Sequence, residues 1–169
     1  MKKWIVVILL LFAAAGVRAQ EGYRGFVGAD FGVGQLNGSG HEYYMYRQWI
    51  AEVSTTHGYA FDDNWFTGGG VGMFWCNQMN EAFFPVYAAV RYCRPDIFLA
   101  PYLEARAGMI AFNSVKKDNG RAQRVYLAGS LGVEVIPDLM VNARLTYSQT
   151  PFGNMILLAT VGVAYSFGN

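Results

Sequence analysis

Eight segments of this chain alternate between large apolar residues and small or polar ones, and this alternation limits the fold more than any other feature. In the last of them the two valines, Tyr165 and Phe167 fall on one face. A period of two residues is that of a β-strand, whereas a helix repeats about every 3.6 residues. The predicted strands are Arg24–Leu36, Tyr46–Tyr59, Trp65–Cys76, Phe83–Arg94, Phe98–Phe112, Gln123–Ile136, Leu139–Gln149 and Met155–Phe167.

The two faces of these strands differ in charge. On the fifth strand Leu103 and Met109 share the apolar face, while Glu104 and Arg106 share the other. The chain is 53% hydrophobic and only 15% charged, whereas a soluble domain carries about 25% charged residues. A lipid-facing Arg or Lys at mid-bilayer costs roughly 2–4 kcal/mol. We therefore predict an all-β fold, an eight-stranded antiparallel up-and-down transmembrane barrel with the apolar face in lipid.

The N-terminal segment predicts export from the cytoplasm. Lys2 and Lys3 precede an apolar run of about 12 residues, which fits a signal peptide and is too short for a spanning helix. Small residues around Ala19 suit a signal peptidase. We expect residues 1–19 to be a cleaved signal peptide and residues 20–169 to be one barrel domain. Removing Lys2, Lys3 and Arg18 leaves ten basic against twelve acidic residues, a balance that excludes nucleic acid as a partner.

The connections between the predicted strands form two sets, which an up-and-down barrel places at opposite ends. Three are short turns, Asp62-Asp63-Asn64, Pro95-Asp96 and Pro137-Asp138. The other four are longer and more polar and span residues 37–45, 77–82, 113–122 and 150–154. Transmembrane barrels combine short turns at one end with longer extracellular loops at the other. An extracellular partner would therefore bind at these four loops.

Seven charged residues are predicted to face the interior of the barrel: Asp30, Glu52, Arg91, Glu104, Arg106, Glu134 and Arg144. An eight-stranded barrel is just wide enough for its own side chains to fill it, and an unpaired buried charge is costly. We therefore predict a lumen filled by a polar network of these side chains. A narrow path for protons or small solutes is the alternative that this pattern leaves open.

No motif in the sequence predicts catalysis or a cofactor. The two histidines are His41, in the first long loop, and His57, which follows a short Ser/Thr run. Local spacing of this kind is weak evidence for a catalytic triad, which depends on convergent geometry. Cys76 and Cys93 form no CxxC motif, and we predict that both are free thiols. We expect no metal, no cofactor and no enzymatic activity; a lipid-modifying enzyme and a secreted ligand-binding barrel are the further alternatives.

The whole of Gln20–Asn169 resembles the small outer-membrane β-barrel family, the group of OmpA/OmpX-like and porin-like eight-stranded barrels. The most specific part is the last strand, where Thr160, Gly162, Tyr165 and Phe167 match the family's insertion signal; Gly168 and Asn169 then follow the terminal aromatic residue. The resemblance implies an outer-membrane location in a Gram-negative-type cell, contact with outer-membrane lipid and insertion by the barrel-assembly machinery. It also implies a structural or surface-interaction role, although such barrels serve varied functions.

Overall fold

The computed structural model of the chain describes residues 22–37, 46–77, 80–113, 124–149 and 155–168. The predicted signal peptide lies outside these ranges, as do residues 38–45, 78–79, 114–122 and 150–154 of the predicted loops. The described residues form eight strands: β1 (Tyr23–Asn37), β2 (Tyr46–Ala60), β3 (Trp65–Cys76), β4 (Glu81–Cys93), β5 (Pro101–Asn113), β6 (Val125–Ile136), β7 (Leu139–Gln149) and β8 (Met155–Phe167). No helix in this part of the chain is long and apolar enough to cross a membrane.

The eight strands close into a barrel. Each pairs antiparallel with the next along the chain, and β1 also pairs with β8. At mid-height Asp30 of β1 lies opposite Glu52 of β2 and opposite Gly162 of β8. The predicted eight-stranded antiparallel up-and-down barrel is thus confirmed. Seven strands begin and end within two residues of their predicted bounds, and β5 is the exception.

The connection from β4 to β5 spans residues 94–100 and is longer than the predicted Pro-Asp turn. A second turn closes it, in which Ala100 N–H donates to Ile97 O at 2.9 Å. Leu99 and Ala100 have φ angles of 64° and 31°, in the left-handed region that strand residues do not adopt. The prediction that β5 begins at Phe98 is therefore wrong. Phe98 lies in this turn instead, 87% exposed.

The loop lengths at the two ends differ less than the sequence predicts. At the loop end, β3 and β4 are joined by residues 77–80, a shorter connection than residues 94–100 at the turn end. The latter turn is fixed by two hydrogen bonds from Arg94 to Asp96, at 2.7 and 2.8 Å. These bonds hold the pKa of the Asp96 carboxyl below its usual value. Loop length alone is therefore a weak indicator of which end of the barrel is extracellular.

The side chains of each strand alternate between the outer surface and the lumen as predicted. On β8, Val161 is 64% exposed, whereas its neighbour Thr160 is 4% exposed. Leu131 of β6 and Leu145 of β7 are both 62% exposed on the same outer surface. Large aliphatic side chains thus cover the outside, and the charged side chains at mid-strand point inward.

The lumen consists of three layers, which the sequence did not predict. A charged layer lies at mid-height. On its turn side is an apolar layer, made of Phe26, Phe66, Tyr102, Met140 and Ala164. On its loop side is a larger apolar layer, made of Ile50, Phe74, Cys76, Phe83, Tyr87, Ala89, Ile110, Tyr126, Ala128, Ile156 and Leu158. Large apolar side chains therefore fill the lumen on both sides of the charged layer.

The glycine-rich strand β3 gives room to a side chain from the next strand. A Cβ atom at Gly70 would collide with the ring of Tyr87, which crosses β3 at this point. The Tyr87 hydroxyl lies 3.0 Å from Thr56 Oγ1 and donates to the backbone O of Thr55 at 3.3 Å, both on β2. Tyr87 therefore links β4 to β2 across a strand that has no side chain at Gly70.

Candidate functional site

Six of the seven predicted interior charges form a continuous network across the lumen: Asp30, Glu52, Arg91, Glu104, Arg106 and Arg144. Each is at most 6% exposed. Arg144 Nη1 donates to Asp30 Oδ2 at 2.8 Å and to Glu52 Oε1 at 3.0 Å. Arg106 Nη1 lies 3.7 Å from the same oxygen of Glu52. Glu52 of β2 is thus shared between an arginine of β5 and an arginine of β7.

The second half of the network continues from Arg106 through Glu104 to Arg91. Arg106 Nε donates to Glu104 Oε1 at 2.6 Å, and Arg91 Nε donates to Glu104 Oε2 at 2.8 Å. The Arg91 guanidinium is the last group of the network. It lies 3.7 Å from the ring centroid of Phe26 and 4.4 Å from that of Tyr102. Aromatic faces stabilise a cation that is shielded from water. Acids and bases therefore alternate along the network, with three of each.

Glu134 lines a cavity at the turn end of the lumen with Arg91, Tyr102 and Met140, but it does not join this network. The pairing of β6 with β7 shifts register between Glu134 and Ile136, close to the turn end of the barrel. There Glu134 Oε1 accepts the backbone N–H of Asp138 at 3.0 Å. A bulge re-aims the side chains near it, and the carboxylate closes the β6–β7 turn instead of pairing with an arginine.

Polar groups that the sequence analysis did not identify complete the network. Tyr126 donates to Glu52 Oε1 at 3.4 Å, and Arg106 Nη1 donates to Ser54 Oγ at 3.2 Å. The Arg106 guanidinium also lies 4.7 Å from the ring centroid of Tyr87. The inward parity of Tyr126 and Tyr87 was visible in the sequence. Their contacts with charges on distant strands were not, because they depend on the register of the closed barrel.

The four residues of the predicted insertion signal face two environments. Thr160 and Gly162 point into the lumen, whereas Tyr165 is 54% exposed on the outer surface. Gly162 lies opposite Asp30, and a Cβ atom there would collide with the Asp30 carboxylate. A glycine at this position therefore has a packing role in the ion network, in addition to any role in insertion.

Phe167 lies on the outer surface at the junction of β8, β1 and β2. Its ring covers Gly25 of β1, where the three atoms nearest to an added Cβ would all be carbons of this ring. It also packs edge-on against His57 of β2, with ring centroids 5.7 Å apart and planes at 67°. The terminal aromatic residue thus spans the strand pair that closes the barrel and reaches the strand beyond it.

His57 is held by hydrogen bonds on both ring nitrogens. Tyr23 Oη lies 2.6 Å from Nδ1, and Thr55 Oγ1 lies 2.8 Å from Nε2. A hydroxyl next to a histidine resembles part of a catalytic triad, but the group that orients the ring is a tyrosine and Thr55 is only 7% exposed. This arrangement fixes the ring for packing and does not present a nucleophile. Among the described residues no cluster of His, Cys, Asp and Glu could hold a metal ion, and Cys76 and Cys93 are free thiols.

The fold is similar to that of solved outer-membrane barrels. The crystal structure of Neisserial surface protein A matches with a TM-score of 0.57 and 14% identity, over 85% of this chain and 97% of that chain. Ail, the attachment invasion locus protein of Yersinia pestis, was solved in complex with the heparin analogue sucrose octasulfate. That structure matches with a TM-score of 0.51 and 12% identity, over 86% and 99% of the two chains. No protein-family model and no curated protein sequence matches the chain. The chain therefore has the fold of the small eight-stranded outer-membrane barrels.

Proposed function

We propose that this chain is an integral outer-membrane barrel with a closed lumen, which acts at the cell surface through the segments at its loop end. The observation that carries the proposal is the inversion of its two faces. Val161, Leu131 and Leu145 are more than 60% exposed outside, while six charges are buried inside. Water would not stabilise such an outer surface, whereas the hydrocarbon of a bilayer would. Outer-membrane lipid is accordingly the partner proposed for this surface.

The lumen favours a plug over a pore. Phe74, Phe83 and Ile156 are buried on the loop side of the charges, and the Arg91–Phe26 contact fills the turn side. An ion crossing this interior would have to displace large apolar side chains at both levels. The closed lumen thus supports a structural or surface-interaction role and argues against the narrow pore.

The loop-end segments are the proposed interaction surface. Residues 113–122 include Lys116, Lys117 and Arg121 against the single acid Asp118, so this loop is basic. Since a structurally similar barrel was solved with a heparin analogue, a sulfated glycan is the first ligand to test. Surface plasmon resonance on the refolded protein should show salt-sensitive binding that weakens in a Lys116→Gln/Lys117→Gln variant. Equal binding by both proteins would remove this loop as the site.

The location is tested by membrane fractionation of cells that express the full chain. The protein should co-sediment with the outer membrane and migrate differently on a gel before and after heating. Recovery in a detergent-free soluble fraction would refute the membrane proposal. Planar-bilayer recording with the refolded protein then separates plug from pore, because steady single-channel conductance would contradict the closed lumen.

Insertion by the barrel-assembly machinery is proposed through Phe167 at the end of β8. Phe167→Ser should lower the amount of assembled barrel in the membrane more than it lowers synthesis. His57→Ala is the matched control, since it removes the packing partner of Phe167 on β2 and leaves the terminal strand intact. Equal loss in both variants would assign the effect to packing at the barrel closure instead of to recognition of the strand.

A further inference from the structure

Four buried polar atoms around Gly162 have no hydrogen-bond partner among the described residues: Asp30 Oδ1, Asn142 Oδ1, Arg144 Nε and Thr160 Oγ1. Each of these four side chains is 4% exposed. Buried polar atoms in folded proteins are nearly always paired, and leaving one unpaired costs about 1–3 kcal/mol. Four such atoms at one place in the lumen therefore need a ligand.

The strand register makes the four residues neighbours on the inner face of the barrel. Gly162 of β8 lies opposite Asp30 on one side and opposite Asn142 on the other. Thr160, the next inward residue along β8, lies opposite Arg144 of β7. Because Gly162 has no side chain, the Asp30 carboxylate of β1 can lie over its backbone. The Asp30 carboxylate occupies the position that a Cβ atom at Gly162 would need.

The chemistry of the four atoms identifies the ligand. Asp30 Oδ1 and Asn142 Oδ1 can only accept hydrogen bonds, Arg144 Nε can only donate, and the Thr160 hydroxyl can do either. A metal ion or an ammonium group would lie against the Arg144 guanidinium, and an anion would lie against the Asp30 carboxylate. A water molecule donates two hydrogen bonds and accepts two, which complements all four atoms.

We propose that the lumen holds a structural water over Gly162, which donates to Asp30 Oδ1 and Asn142 Oδ1 and accepts from Arg144 Nε and Thr160 Oγ1. Buried waters typically make about three hydrogen bonds to groups that would otherwise be unpaired. This water joins β1, β7 and β8 at the barrel closure and extends the ion network to Asn142. The inference concerns the interior alone and holds whichever solvent surrounds the barrel.

The test compares the wild-type protein with Thr160→Val, both refolded from urea into detergent micelles so that no assembly machinery takes part. Valine keeps the shape of threonine and removes the hydroxyl that the water needs. The equilibrium constant for unfolding should rise roughly 5–30-fold, because the water loses a partner. An unchanged or smaller constant would overturn the proposal, since replacing an unpaired buried hydroxyl by an apolar group is neutral or stabilising.

A second measurement reads the water directly and does not depend on a variant that folds. Nuclear Overhauser spectra of the wild-type protein should show a cross-peak between a long-lived water and the methyl group of Thr160. Thr56 is the matched control, because its hydroxyl lies in the same lumen and is bonded directly to Tyr87. Absence of the cross-peak at Thr160, or an equal cross-peak at Thr56, would equally overturn the proposal.

Discussion

Replacing Gly25 by alanine should destabilise the barrel by displacing the ring of Phe167. The three atoms nearest to the new methyl group would all be carbons of this ring, two of them too close for van der Waals contact, so the ring has to leave its place over β1. It then loses the edge-on contact with His57, worth about 0.5–1.5 kcal/mol for an aromatic pair. Overpacking of this kind typically costs about 1–3 kcal/mol.

Two terms reduce this estimate. Alanine restricts the unfolded chain more than glycine does, which stabilises by about 0.4–1 kcal/mol where the native backbone tolerates it. The ring also faces outward, so moving it into lipid or detergent carries little hydrophobic penalty. The net loss expected for Gly25→Ala is therefore about 1–2 kcal/mol. Urea unfolding of the refolded protein in detergent micelles, followed by tryptophan fluorescence, measures it.

Controls separate the ring contact from a general effect of alanine in a strand. Gly129 lies on the outer surface with nothing within 4 Å of an added Cβ, so Gly129→Ala should be neutral or slightly stabilising. In a Phe167→Ala background the loss from Gly25→Ala should disappear, because the collision partner is gone. An equal loss in both backgrounds would refute the role assigned to Phe167, as would an equal loss from Gly129→Ala.

Three further predictions test the faces, the network and the turn. Arg144→Met should lower the free energy of unfolding by about 3–5 kcal/mol in urea titrations, because Asp30 and Glu52 keep their buried charges without this cation; a loss below about 1 kcal/mol would contradict the network. Leu145→Arg should lower the free energy of unfolding by roughly 2–4 kcal/mol in lipid vesicles. An unchanged free energy of unfolding would show that the outer surface does not meet lipid. Arg94 holds the pKa of Asp96 below its usual value. The contribution of this exposed pair to folding stability is therefore present above the pKa of the unfolded chain, about 3.9. It is lost as pH falls through the lower pKa of the folded protein. A carboxyl-carbon titration of Asp96 by NMR checks the direction, and an ordinary or raised pKa would contradict the hydrogen bonds of the turn.

The strands and their faces could be predicted because both follow from a local property of the sequence. Alternation with a period of two residues identifies each strand, and parity then assigns every side chain to one face. Leu103, Met109 and Val161 were placed outside on this basis alone, and all three are exposed there. The same reasoning placed β5 wrongly, because the apolar run from Ile97 to Leu99 looks like the start of a strand. The alternation gives no sign of the left-handed φ angles at Leu99 and Ala100 or of the turn that Ala100 N–H closes on Ile97 O.

The contacts within the candidate site could not be predicted, because they depend on register between distant strands. Arg144 and Asp30 are 114 positions apart, and only the closure of β1 against β8 brings them together. Gly162 shows the same limit. From its neighbours in sequence it matches an insertion signal, whereas its contact with the Asp30 carboxylate comes from the other end of the chain. A residue can thus satisfy a local pattern and a distant packing requirement at once.

This overlap bears on why a small barrel keeps six charges in its lumen. Replacing a buried ion network by well-packed apolar side chains is often neutral or stabilising, so stability alone does not explain these residues. A slip of one residue between two strands would turn every side chain to the opposite face. In a fully apolar barrel such a slip would exchange one aliphatic surface for another, whereas here it would move Asp30, Glu52 or Arg144 into lipid. The network joins β1, β2, β4, β5 and β7, so it opposes slippage on most of the wall, and its main contribution is to fix the register in which the barrel closes.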